Sequence, residues 1–365
     1  MNHIIWVTRQ TCRKVFIRVG RFVMANLLLV MLTLPAQAQT FDQAVTGAAV
    51  GCPDVTSSGS TGALSRAISP VEKQKSRRLI GPLSLFISSE YERSEKDRTT
   101  FEKGHTTDTW RTALGADYSF NERVVFGGAL NVTNAKGDFQ SGGRFDTDSY
   151  GLLLHANFVP APKFFFDAAA GYTRNNHSVS RIVSCTNILL GPVEGDTEGD
   201  TLTVGVNGGY DFAFQNITIG PRFGLHYKPT KIDGYSERGS TGMELVYDNQ
   251  TEKSLTSVLG MYGSMAISTR FGVLIPQTTL EHVHEFKDNQ RTTGLGFSEN
   301  TNTRFRTDAR FGFQNDSPDR NYFNLGAGVV AVLPNGFSPF INYRTLLGYQ
   351  ARSSYGIAAG LRIEL

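Results

Sequence analysis

The chain has 365 residues, 40% hydrophobic and 19% charged, a mixture too apolar for a disordered polymer, and its 38 Gly, 25 Phe and 13 Tyr favour strands over long helices. The formal charge of +3 comes from the first 38 residues, where Arg9, Arg13, Lys14, Arg18 and Arg21 stand without any acid. The remainder holds 31 basic and 33 acidic side chains, a near-neutral balance that argues against nucleic acid as a partner.

The first predicted element is a targeting segment. A basic stretch runs to Arg21, an apolar stretch follows from Phe22 to Leu34, and Pro35-Ala36-Gln37-Ala38 then gives the small-x-small pattern of a signal cleaved after Ala38. This stretch of 13 residues is too short to span a bilayer. No cysteine stands immediately after the cut, so a lipid anchor is not expected. A start at Met24 would leave almost no basic region, which favours Met1. Export brings the thiols into an oxidising compartment. Residues 39–78 then read as a polar, Ser/Gly-rich leader.

From Leu79 to the last residue the pattern alternates with period two. Leu202, Val204, Val206, Tyr210, Phe212 and Phe214 share one face, opposite Thr201, Thr203, Asn207 and Asp211. Soluble sandwiches alternate as well. Three features point to a membrane instead. The strands run about 12–16 residues, against the usual five or six of soluble sheets. Aromatics gather near strand ends, at Tyr118 and Phe120, Phe158, Phe164 to Phe166, Tyr210 to Phe214, and Tyr322 and Phe323, as in an interfacial girdle. Tight connections at 121–122, 160–162, 215–216, 269–270 and 334–336 alternate with the segments 92–106, 136–144, 178–198, 233–252, 288–318 and the short 348–351. The expected fold is all-β: an antiparallel up-and-down transmembrane barrel of twelve strands, near 79–91, 107–120, 123–135, 145–159, 163–177, 199–214, 217–232, 253–269, 271–287, 319–333, 337–347 and 352–365. A hairpin hidden in 288–318, around Arg304 to Phe313, would make fourteen. Closure is required because an open edge in lipid leaves backbone groups unpaired.

Several runs resemble the β-domains of autotransporters, the translocators of type V secretion. They include Leu114 to Tyr118, Phe126 to Leu130, Phe145 to Tyr150, Gly208 to Phe212, Ser254 to Ser257, Val283 to Phe286, Asp319 to Gly328 and Gly356 to Leu365. The resemblance covers 79–365. It implies a monomeric twelve-stranded barrel in the outer membrane of a Gram-negative bacterium. Such a barrel is surrounded by outer-membrane lipids, built by the barrel assembly machinery with periplasmic chaperones, and crossed by an N-terminal segment that leads to a passenger. Two departures stand out: only about 40 residues separate cleavage site and barrel, so the passenger is vestigial, and the last residue is Leu365 where the family ends in an aromatic. The alternative is a stand-alone barrel acting as a structural protein, a surface adhesin or a small plugged channel.

No catalytic constellation, cofactor site or full metal site is expected. Nucleophile-elbow and phosphate-cradling motifs are missing. His282 and His284 share a face about 7 Å apart, two ligands where three or four are needed. His105 with Asp108, or His282 and His284 with Asp288, are weak candidates for outer-rim chemistry. The lumen-side charges are expected to be Arg111, Asp117, Asp167, Asp211, Arg222, Arg344 and Arg362, with Lys228, Glu281 and Glu285, pairing across strands. The basic end of the leader, Lys73, Lys75, Arg77 and Arg78, is a candidate partner for Asp117, Asp167 and Asp211. Residues 53–78 would reach about 39 Å as a helix. Cys52 would then stand at the outer mouth near Cys185, a candidate disulfide that pins the leader in the pore.

Overall fold

The computed structural model describes residues 82–365 apart from 122, 162, 186–187 and 299–310. The signal segment, the leader and Cys52 lie outside the described residues. Twelve antiparallel strands form one closed ring: β1 (Leu83–Lys96), β2 (His105–Ser119), β3 (Val124–Phe139), β4 (Gly143–Ala161), β5 (Phe164–Cys185), β6 (Ile188–Tyr210), β7 (Ile217–Ile232), β8 (Gln250–Met265), β9 (Gly272–Glu285), β10 (Asn321–Val332), β11 (Phe337–Leu347) and β12 (Arg352–Glu364). Each strand pairs with its chain neighbours, and β12 pairs with β1 from Ser84↔Glu364 to Lys96↔Arg352, so the ring has no free edge. Short strands extend two of these beyond one irregular residue, Phe212–Phe214 after β6 and Ile267–Thr269 after β8.

The two faces of each strand differ in chemistry. Large apolar side chains point outward and stay exposed over the middle of the ring: Leu114 is 59% exposed, Leu130 63% and Leu259 66%. Such a continuous apolar belt is untenable in water and is what lipid requires. Phe120, Phe126, Phe158, Phe214 and Phe271 rim it at the end with tight turns, and Trp110, Tyr150, Tyr172 and Tyr227 at the other. The chain enters the ring at Leu83 and leaves at Glu364, both on the tight-turn side. That side includes the turn at Pro334–Gly336, where Asn335 and Gly336 take φ of 66° and 78°.

Inward faces carry glycines where a neighbouring side chain occupies the missing Cβ's place. At Gly127 a Cβ would stand 2.2 Å from Asp117 Oδ1 and 2.3 Å from His155 Nε2. Gly127→Val is therefore expected to separate that pair and overpack the wall, costing about 3 kcal/mol. Gly128→Val, on the lipid side, meets nothing closer than 3.3 Å and is expected to be tolerated. The temperature at which the unboiled protein changes its electrophoretic mobility would separate the two.

The outer connections differ from the expectation in three places. The segment 136–144 is no long loop: β3 and β4 run almost to each other, and Gly142 and Gly143, with φ of 85° and 103°, turn the chain. At Gly143 a Cβ would also meet Ser180 O at 2.4 Å. The segment 178–198 is not a loop either. It is the end of a hairpin whose strands β5 and β6 have 22 and 23 residues, twice the length a tilted membrane strand needs. Third, 288–318 does hold a hairpin, Thr292–Phe297 with Phe311–Gln314. It joins Leu245–Tyr247 and Tyr235–Ser236 in a separate four-stranded sheet, so the barrel keeps twelve strands.

Candidate functional site

The site is the barrel interior and its outer mouth. Inside, charges meet in pairs and chains that step over intervening strands. Around the closing seam, Arg111 of β2 is 2.7 Å from Glu92 and 3.5 Å from Glu90, both on β1. Arg344 of β11 is 3.2 Å from Glu90. Ser354 Oγ of β12 donates to Glu92 Oε1 at 2.8 Å. Four strands on both sides of the β1–β12 seam thus share two carboxylates. Deeper, Arg362 of β12 stands 2.7 Å from Asp117 of β2, whose other oxygen is 2.8 Å from His155 Nε2 of β4. Arg222 donates to Asp211 Oδ1 at 2.5 Å and lies 4.8 Å and 4.6 Å from the rings of Phe165 and Tyr262. Asp167 accepts a hydrogen bond from Asn157 Nδ2. Asp117 and Asp211 therefore already have barrel arginines beside them, and the leader cations expected to meet them lie outside the described residues. Glu285 is held by Ser254 Oγ at 2.5 Å and by the amides of Leu255 and Lys287 at 2.9 and 2.7 Å.

The candidate rim chemistry is not assembled. His105 points inward and is buried against Phe139 and Phe145, whereas Asp108 points outward and is bound by Arg93 and the Tyr91 hydroxyl. His282 and His284 are on the outer face, one beside the Phe323 ring and the other 2.8 Å from Asn321 Oδ1, while Asp288 pairs with Arg320. Among the described residues no group of three or more His, Cys, Asp or Glu is arranged to hold a metal ion.

The outer mouth is what alternation alone did not reveal. Above the aromatic ring the strands invert: Ser178, Ser180, Glu194 and Asp196 point out, and Val179, Val183 and Val193 point in. The inward apolar ends meet the loop sheet in one core of Phe139, Phe145, Val179, Ile232, Tyr235, Leu245, Tyr247 and Leu295. Beneath it Arg181 forks onto Glu237, with Nε and Nη2 each donating at 2.5 Å. Tyr235 and Tyr247 stack 4.5 Å apart beside it, their hydroxyls pushed well above the usual phenol range by burial.

Burial also sets the pH response of this outer end. It pushes His105 and His177 down to about 3, helped for His105 by Arg352 and Lys96, and lifts Glu102 up to about 7. The histidines are neutral where they are buried, so the packing of this outer end is weakened as pH falls below their ordinary 6.5. Each histidine costs about 2 kcal/mol at pH 5. Glu102 has the opposite sign: its contribution is full below 4.5 and is lost as pH rises through about 7, which returns about 2 kcal/mol at pH 5. The net expectation is looser outer loops at pH 5 than at pH 7.5. Because one histidine and Glu102 nearly cancel, His177→Phe should abolish the difference. Hydrogen exchange over 233–249 at both pH values, corrected for intrinsic rates, reads it.

The family model named autotransporter β-domain matches residues 85–344, from the first strand into the eleventh. The chain belongs to the autotransporter β-domain family. Its fold is similar to the translocator domain of the autotransporter NalP from Neisseria meningitidis, at a TM-score of 0.62 and 15% identity over 84% of this chain and 95% of that one. The β-domain of the Bordetella autotransporter BrkA gives a TM-score of 0.57 and 18% identity over 78% and 100%. Esterase EstA of Pseudomonas aeruginosa is 30% identical over 111 residues, 30% of this chain and 16% of the esterase. The chain spans less than a third of the length of the curated relatives it matches. As an autotransporter β-domain with a lipid-facing apolar belt, the protein resides in the outer membrane of a Gram-negative bacterium, surrounded by lipid.

Proposed function

We propose that this autotransporter β-domain carries residues 39–78 through its lumen to the cell surface. In this reading residues 1–38 are a signal peptide cut after Ala38. Residues 39–78 are the leader, crossing the lumen, and 79–365 are the barrel, inserted as a monomer by the barrel assembly machinery with periplasmic chaperones. The observation that supports it is a family barrel whose first strand starts at the tight-turn, periplasmic end, so that a preceding segment has the lumen as its route outward. The barrel itself acts as a conduit and not as an enzyme: its histidines and carboxylates are engaged in pairs or sit on opposite faces. The likeness to EstA concerns 16% of that esterase. A Cys52–Cys185 disulfide belongs to the same proposal. A second reading, a stand-alone barrel, is favoured by the loop sheet folded over the outer mouth.

An epitope tag placed after Thr46 separates the two. Antibody labelling of intact cells is the expected result. Labelling only after the outer membrane is permeabilised would leave the leader in the periplasm and support the stand-alone barrel.

A further inference from the structure

We propose that the outer loops form a lid that closes the mouth of the barrel, hinged on the β5–β6 hairpin and latched on the β1–β2 loop. The inference concerns the mouth and not the cargo: its hydrogen-exchange test holds for either reading of the leader, and its conductance test rests on the stand-alone reading, in which no leader fills the lumen.

The lid crosses the mouth by topology. Leu295 lies in the connection between β9 and β10, six strands around a twelve-strand ring from β3 and β4. It nevertheless shares an apolar core with Phe139 and Phe145 at the outer ends of β3 and β4. A segment rooted on one side and packed on the diametrically opposite side spans the opening. Its underside is apolar, so moving it exposes Leu245, Tyr247 and Leu295 to water and closure is the favoured state.

The two attachments differ in kind. At the hinge, Arg181 of β5 is paired bidentately with Glu237 and also donates to Met243 O at 2.9 Å. Glu194 and Arg238 exchange backbone hydrogen bonds of 2.9 and 2.7 Å, joining the lid to β6. A planar guanidinium with its carboxylate fully buried opens reluctantly. At the other end a single ammonium does the fastening. Lys96, the last residue of β1, lies 2.6 Å from Glu102 Oε2 and 2.8 Å from Asp316 Oδ2. The Asp316 amide donates to Glu102 Oε1 at 2.8 Å and Thr99 Oγ1 to Asp316 Oδ2 at 2.8 Å. Asp319, three residues on, accepts the Gln350 amide of the β11–β12 loop. These contacts tie the end of β1 to two loops, and the ammonium is a compact, strongly hydrated point charge without the planar fork of a guanidinium. Release therefore begins at Lys96, and the sheet swings on Arg181.

The test uses the full-length protein in planar lipid bilayers. The wild type is expected to open rarely. Lys96→Met with Asp316→Asn should lengthen the open time several-fold. Replacing 292–314 by a short Gly-Ser turn should leave a continuously open pore. A lid-deleted protein that keeps its heat-dependent mobility but conducts like wild type would place the seal elsewhere and overturn the proposal. Should the deletion not fold, hydrogen exchange on the double point variant decides. Faster exchange over 97–104 and 315–320, with 235–247 unchanged, supports a latch and a hinge. Unchanged exchange at 97–104 and 315–320 overturns them.

Discussion

Arg181→Ala is expected to free the loop 233–249 from the barrel while the membrane ring stays intact. The substitution leaves Glu237, itself 4% exposed, without its guanidinium and beneath two stacked tyrosines. Removing one member of such a pair costs about 3–5 kcal/mol, because the remaining charge stays buried without its counterion. Read as local opening, this is a hundredfold to several-thousandfold acceleration of amide exchange at Tyr235–Tyr247, at about tenfold per 1.4 kcal/mol. Trypsin should begin to cut after Lys231 and Arg238. The double variant Arg181→Met with Glu237→Leu removes both charges and should recover most of the protection, since an apolar pair fits a site already lined by Val179 and Leu245. Equal exchange in wild type and Arg181→Ala would show that the ion pair does not hold the loop.

Arg111→Ala is expected to weaken the ring at its seam. Glu90 and Glu92 both point at Arg111, with Arg344 on the far side of β12 as their other cation. Without Arg111 the two half-buried carboxylates keep only Arg344 in ion-pair range, with Arg352 farther off, and the like-charge repulsion falls on β1, the strand that closes the barrel. The expected loss is about 3 kcal/mol, seen as a lower unfolding midpoint in denaturant with the outer-membrane location retained. Adding Glu90→Gln should restore part of it, because the remaining Glu92 is then matched by Arg344. A fully additive double variant would mean that the cluster carries no coupling.

The barrel itself was legible in the sequence because lipid imposes one rule on every strand. Outward residues such as Leu114, Leu130 and Leu259 must be apolar, and the hydrophobic alternation follows without any tertiary information. Strand eight shows where that rule is weakest. Leu255 to Met265 mixes Ser, Gly and Met, yet it pairs along its whole length with β7, since the backbone ladder needs no particular side chain. The lid was not legible, for a related reason. Above the membrane the rule inverts, with Ser178 and Asp196 outward and Val179 and Val193 inward, and an alternating strand with a charged outer face reads as loop when lipid is the reference. The seam cluster was half visible. Arg111 and Arg344 were candidates, but their partners Glu90 and Glu92 were not, and the Arg344–Glu90 contact, between residues 254 apart in sequence, exists only once the last strand closes on the first.

That closure is the point on which the account rests, and Ser89→Cys with Ala359→Cys tests it directly. The two residues face each other across the β1–β12 seam, and both are small and outward-facing. After mild oxidation of outer membranes, mass spectrometry should recover a peptide pair joined between 89 and 359. A protein that inserts normally but never forms this link, or links position 89 to another strand, would contradict a ring closed between its first and last strands.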